Sequence, residues 1–159
     1  YTPHVRQALR GLNVPVLIYG TPRVGQEGLL TYRPPSNLPF LEDLASCRAV
    51  ISTAGNQLVG ETLHLRKPML VMPEDCVEQR LNAANLARMG IGMEVRRKDF
   101  TGDVVRAFLA DEERYLANIN KYARDGRREA LETIEQFLVE LVGPERGTAD
   151  PRPREKVLG

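Results

Sequence analysis

The chain has 159 residues, 42% apolar and 27% charged, a composition that suits a globular core and excludes fibrous or disordered classes. Twenty-two Lys and Arg against twenty-one Asp and Glu leave a formal charge of +1, so no strong field singles out nucleic acid or an anionic membrane as partner. A small polar ligand fits this balance better.

No apolar run approaches the roughly 20 residues of a bilayer-spanning helix, and YTPHVRQALRG lacks the apolar core of a signal peptide. The chain therefore reads as cytoplasmic, with no transmembrane segment. Cys47 and Cys76, with two scattered histidines, supply no zinc-ligand spacing; they read as reduced thiols, and no metal site is assigned.

In chain order, residues 5–12 have helix-compatible spacing, and VPVLIYG then reads as a buried strand rich in β-branched residues. TPRVGQEG is turn-prone, LLTYR is a second strand, and Pro34, Pro35 and Pro39 delay regular structure until the short helix FLEDLASC. AVIST, MLVM and GMEV are further strands. Before the last of these, Val77, Leu81 and Ala84 recur at helical spacing until Gly90 stops the helix. Residues 103–142 are helical in pattern, with Leu116, Ile119, Ala123, Ala130, Ile134, Phe137 and Leu141 as a core-packing stripe and Gly126 as a break. Residues 143–159 hold Pro, Gly and charge with little to bury and are expected to form a disordered tail.

Continuous apolar strands alternating with amphipathic helices predict an α/β fold: a Rossmann-like parallel sheet with helices on both faces, extra C-terminal helices, and one domain over residues 1–142. Such units open with a strand, yet this sequence opens with a helix. The first strand, and with it the centre of the sheet, is therefore expected upstream of Tyr1.

Residues 49–82 concentrate the chemistry. In Ser52-Thr53-Ala54-Gly55-Asn56-Gln57, small residues permit close backbone approach, and the helix that follows offers unpaired N–H groups and its positive dipole end. The same residues also suit a capped turn with no ligand. Glu61 lies about four residues further, roughly 6 Å along a helix, a suitable offset between a bound phosphate and the ribose of one nucleotide. Glu78 and Gln79 open the next helix on the same rim, where a carboxylate and an amide can grip sugar hydroxyls, or where Glu78 can simply complement a helix dipole. Asn82 and His64 read as surface residues, and Arg80 is the first basic candidate for a phosphate.

The run CRAVISTAGNQLVGETLHLRKPMLVMPEDCVEQRLNAANLARMGIG resembles the donor-binding C-terminal half of GT-B glycosyltransferases, including the bacterial N-acetylglucosaminyltransferases that make lipid II and the UDP-glycosyltransferases. The resemblance covers residues 35–95. Matching motifs are a small-residue diphosphate loop, a Glu eight residues past its first position, a Pro-strand-Pro segment from Pro68 to Pro73, and Glu78-Gln79-Arg80-Leu81-Asn82-Ala83. It implies that Thr53, Ala54, Gly55, Asn56 and Gln57 face the donor diphosphate, Glu61 the ribose, and Glu78 and Gln79 the sugar, with residues 35–40 bordering the base. Two departures stand out: Thr53-Ala54 replaces a common His-Gly, and Arg66-Lys67 falls where Gly is usual.

The resemblance further implies a glycosyltransferase whose partners are a nucleotide-diphosphate sugar, UDP-linked by expectation, and an N-terminal acceptor domain of the same chain that carries the catalytic base. No catalytic residue is assigned in this segment, and the segment alone is expected to be inactive. No cofactor is expected, the donor being a substrate. A nucleotide-sugar 2-epimerase-like domain and a non-catalytic nucleotide- or sugar-binding module are the two alternatives.

Overall fold

The structure, a computed structural model, describes residues 3–122 and 126–143. Six short strands alternate with helices: α1 (Pro3–Arg10), β1 (Val16–Ile18), β2 (Gly25–Glu27), β3 (Leu30–Tyr32), α2 (Leu38–Ser46), β4 (Val50–Ser52), α3 (Asn56–His64), β5 (Met69–Val71), α4 (Val77–Arg88) and β6 (Gly92–Glu94). The helices α5 (Gly102–Ala110), α6 (Glu112–Tyr122) and α7 (Gly126–Val142) follow. Every apolar run read as a strand is one. Tyr1–Ala123 forms one compact unit and Arg124–Gly159 a second; the expected tail lies, beyond Gly143, outside the described residues.

The strands make two three-stranded sheets. In one, β4, β5 and β6 are parallel, with Val50 opposite Met69 and Met69 opposite Gly92. In the other, β1 is parallel to β3, and β2 is antiparallel to β3. β2 occupies part of the segment expected to be a turn. Its sequence GQE has no apolar alternation; it becomes an edge strand because Gly28, at φ +60°, closes a hairpin onto β3. Glu27 at its end is held by Arg10 and by Arg23 at 2.7 Å. Burial pushes the Glu27 carboxyl up, but the Arg10 hydrogen bond and the charges of Arg10, Arg23 and Arg6 outweigh it and hold the group below the usual carboxylate range.

Helices cover both faces, as the alternating pattern requires. On one face Val5, Leu9, Phe100, Val105, Phe108 and Tyr115 from α1, α5, α6 and the preceding loop pack against strand residues of both sheets. On the other, Leu58, Ala83, Leu86 and Ile119 from α3, α4 and α6 pack on Met69 and Val71. The predicted packing stripe holds only in part. Ile119 is buried, whereas α7 buries no residue and Ile134, Phe137 and Leu141 are exposed; Ala123 lies outside the described residues. Among the described residues no helix is long and apolar enough to cross a membrane.

Two helix ends use the same hydrogen-bond pattern. After α4, Gly90 at φ +64° sends its N–H to the Ala87 carbonyl at 3.0 Å, and Ile91 N–H returns to Leu86 at 3.1 Å. After α3, Arg66 at φ +57° donates to Leu63 at 3.1 Å, and Lys67 donates to Thr62 at 2.7 Å. This left-handed terminator favours glycine because a Cβ crowds the following carbonyl. Arg66 thus carries strain that Gly90 does not. Arg66→Gly is expected to raise stability by about 0.5–1 kcal/mol, read as a higher urea midpoint at unchanged slope; an unchanged or lower midpoint would contradict the strained turn.

Candidate functional site

The carboxyl ends of β4 and β5 share a rim, and the loops leaving them build a cleft of ≈ 490 Å³ there, within the range of small-molecule sites. It is lined by Phe40, Ser52, Thr53, Gly55, Asn56, Gln57, Leu58, Glu61 and Glu78. Six of the eight residues named from sequence as candidates for donor binding are therefore together. Ala54 and Gln79 do not line the cleft, and each serves the loops that do.

Ala54 is fully buried at φ +68°, a conformation that L side chains rarely adopt. It turns the chain from β4 into α3 and packs its methyl into the core under α3 and α4. Its carbonyl accepts a hydrogen bond from Asn82 Nδ2 at 3.0 Å, and the same nitrogen donates to Asn56 Oδ1 at 2.9 Å. Asn82, read from sequence as a helix-surface residue, is instead the clasp between α4 and the loop. Its signal was its position, four residues into the helix after Glu78, on the turn that faces back toward the rim.

Glu78 reaches across as well. The Asn56 N–H, first in α3, donates to Glu78 Oε1 at 2.9 Å, a favourable charge-assisted bond at a positive helix end. Gly55, the N-cap of α3, offers no side chain to the remaining first-turn amides. Among the described residues nothing takes the N–H groups of Gln57 and Leu58, and both residues border the cleft. Gln79 accepts from the Glu74 N–H at 2.9 Å, closing the turn between β5 and α4.

Five residues beyond Asn56, roughly 7.5 Å along the axis, Glu61 is half-buried in the cleft wall. Gln57 Nε2 donates to Glu61 Oε1 at 2.9 Å, fixing one carboxylate oxygen. Gln57 thus presents its backbone amide at the helix end while its side chain orients Glu61.

Phe40 stands opposite, in edge-to-face contact with Tyr19 at 5.0 Å between ring centres. Tyr19 donates its phenol proton to Asp43, which also pairs with Arg33 at 3.2 Å. Burial first, then the Asp43 bond and charge, raise the Tyr19 pKa above its ordinary value, so the phenol stays neutral at physiological pH. Sequence reading missed this group because its members lie 24 residues apart.

Other candidates fall away from the cleft walls. Arg80 pairs with Asp75 at 2.8 Å, and His64 ends α3 exposed. Cys76 is the exposed N-cap residue of α4.

The parallel strands β4, β5 and β6 turn their loops toward one strand-end cleft, the place where open α/β sheets bind ligands. The chain belongs to glycosyl transferase family 1, whose model matches residues 2–112. It is 28% identical over 130 residues to a UDP-N-acetylglucosamine–N-acetylmuramyl-(pentapeptide) pyrophosphoryl-undecaprenol N-acetylglucosamine transferase of Bacillus cereus, and 27% identical over 127 residues to a Bacillus thuringiensis enzyme of the same name. The matches cover 76% and 72% of this chain but only 36% and 35% of those proteins, so the chain spans about a third of the relatives' length. Among solved structures, the spinosyn forosaminyltransferase SpnP matches with a TM-score of 0.66 at 22% identity, over 87% of this chain and 38% of that one. The glycosyltransferase VinC, in complex with dTDP, matches with a TM-score of 0.58 at 19% identity, over 74% and 31%. The fold is that of these glycosyltransferases, as the sequence resemblance implied.

The clasp has a measurable weight. Asn82→Ala leaves the buried Ala54 carbonyl without its partner and is expected to cost about 1–2 kcal/mol, measured as a lower denaturant midpoint. A change within error would show that the loop is held by packing alone.

Proposed function

We propose that this chain is the donor-binding part of a glycosyltransferase that takes a sugar from a nucleotide-diphosphate sugar, with UDP as the nucleotide. The observation that carries the reading is one cleft that joins the open helix-terminal amides of Gln57 and Leu58 to a carboxylate, Glu61, about 4.5–6 Å away along the same helix. The diphosphate lies against Thr53, Gly55, Asn56 and Gln57, with buried Ala54 holding the turn beneath them, where the amides of Gln57 and Leu58 and the α3 dipole meet its charge. Glu61, oriented by Gln57, accepts from the two ribose hydroxyls. Glu78, on the neighbouring helix, meets the sugar, with Gln79 closing the turn behind it, and Phe40 borders the base.

In the reaction the bond from the sugar's anomeric carbon to the diphosphate oxygen breaks, and a bond to an acceptor oxygen forms. The leaving diphosphate gains negative charge, which fixed amides and a helix end stabilise without reorganising. The acceptor and the group that removes its proton belong to an N-terminal domain of the longer protein. UDP is favoured by the N-acetylglucosaminyltransferase relatives, whose names specify that donor; dTDP is favoured by VinC. Glu61 separates the two, because deoxyribose lacks the 2′ hydroxyl that a bidentate carboxylate grips.

Calorimetric titration with UDP, UDP-N-acetylglucosamine and dTDP tests this. UDP is expected to bind about tenfold tighter than dTDP, and Glu61→Ala to weaken UDP by about 10- to 100-fold while abolishing that preference. Equal binding of the two nucleotides would remove the ribose role of Glu61. No binding of any of them would remove the donor reading.

A further inference from the structure

We infer that this cleft, resting on its reading as a donor site, takes a sugar that brings hydrogen-bond donors and no negative charge, and that Glu78 makes the selection by rejecting donors whose sugar carries a carboxylate.

The charge of the lining is one-sided. Of its nine residues only Glu61 and Glu78 carry charged side chains, and both are acids; no Lys, Arg or His is among them. A diphosphate therefore meets amides and a helix dipole there in place of fixed cations. Around the turn that leads into α4 the basic groups are engaged with acids outside the lining, Arg80 with Asp75 at 2.8 Å and Arg97 with Glu74 at 3.0 Å.

The two carboxylates stand at opposite ends of the anion site. Glu61 lies about 4.5–6 Å beyond the open amides of Gln57 and Leu58, toward the C-terminal end of α3. Glu78 instead meets the Asn56 N–H at 2.9 Å, on the N-terminal side of those amides. The cleft thus has a direction, from Glu61 through the amides to Glu78. With Glu61 on the ribose, the group that follows the diphosphate is the sugar, and it falls at Glu78.

The free atoms of Glu78 then decide what that sugar can be. Its Oε1 is committed to Asn56, and among the described residues no hydrogen bond or ion pair reaches its Oε2. A carboxylate only accepts. The open oxygen can take a hydroxyl or an ammonium, whereas a uronic acid sets a second negative charge beside it with no cation in the lining to bridge the two. Glu78 is exposed, so the repulsion is screened by solvent. Two like charges about 7 Å apart at an effective dielectric of about 40 correspond to about five- to tenfold in affinity.

Calorimetric titration with UDP-glucose and UDP-glucuronic acid, which differ only in one exocyclic carbon, tests the selection, with UDP as the reference. At low ionic strength UDP-glucose is expected to bind about five- to tenfold tighter than UDP-glucuronic acid. The ratio should fall below about twofold at about 0.5 M salt, as charge repulsion requires. Glu78→Gln keeps an acceptor for the Asn56 N–H and removes the charge, and should bring the low-salt ratio close to one. Glu61→Gln, at the ribose end, should weaken both donors alike and leave the ratio in place. Equal binding of the two donors by the native protein would overturn the inference, as would a ratio that salt does not reduce, and both are read without any variant. A ratio that survives Glu78→Gln, or that Glu61→Gln removes to the same extent, would overturn Glu78 as the selecting group. In each of these cases UDP still binds and the donor reading stands; failure of UDP itself to bind would remove that reading and the inference with it.

Discussion

Everything at the rim depends on one apolar face that runs across two sheets. Ile18, Leu30 and Tyr32 on one side and Leu70, Met72 and Val95 on the other belong to a single cluster under α1 and α5. At about 25 cal/mol per Å² of apolar surface, such a face is what keeps two three-stranded sheets in register without a hydrogen bond between them. The loops after β4 and β5 inherit their positions from it. Were the two sheets free to slide, Phe40 and Glu61 would not face one another across a common cleft.

The elements of this fold were legible because their signals are local. VLI, VIS and MLV read as strands from β-branched density, and Gly90 ended α4 where a left-handed residue is needed. β2 was not legible: GQE carries no strand signal, and only the hairpin at Gly28 and the arginines around Glu27 make it one. The exposed apolar positions of α7 also escaped the reading, since a stripe at helical spacing looks the same whether or not it is covered. In the cleft, the residue types and their shared rim were readable, while Asn82 as clasp and the Tyr19–Asp43–Arg33 group were not. Those depend on which side chains converge after folding, which spacing alone does not encode.

The two departures from the family pattern have a common physical form. Ala54 and Arg66, both standing where glycine is usual in the resembling enzymes, are the two described non-glycine residues with positive φ. The backbone has kept the turn and given up the residue that makes it easy. For Ala54 there is a return, because its methyl is buried under α3 and α4. For Arg66, exposed at the end of α3, no side-chain hydrogen bond or ion pair among the described residues offsets the strain.

The Glu78 carboxylate on the Asn56 amide has a consequence for how affinity is to be understood. An empty helix terminus would bind an anion by simple addition, releasing only water. Here the protein carries its own anion to the mouth of α3, so any anion that came to the Asn56 amide would exchange one acceptor for another there, and only the difference between them would appear as affinity. The resting contact makes α3 and α4 communicate: what happens at one helix end is registered by a side chain on the other.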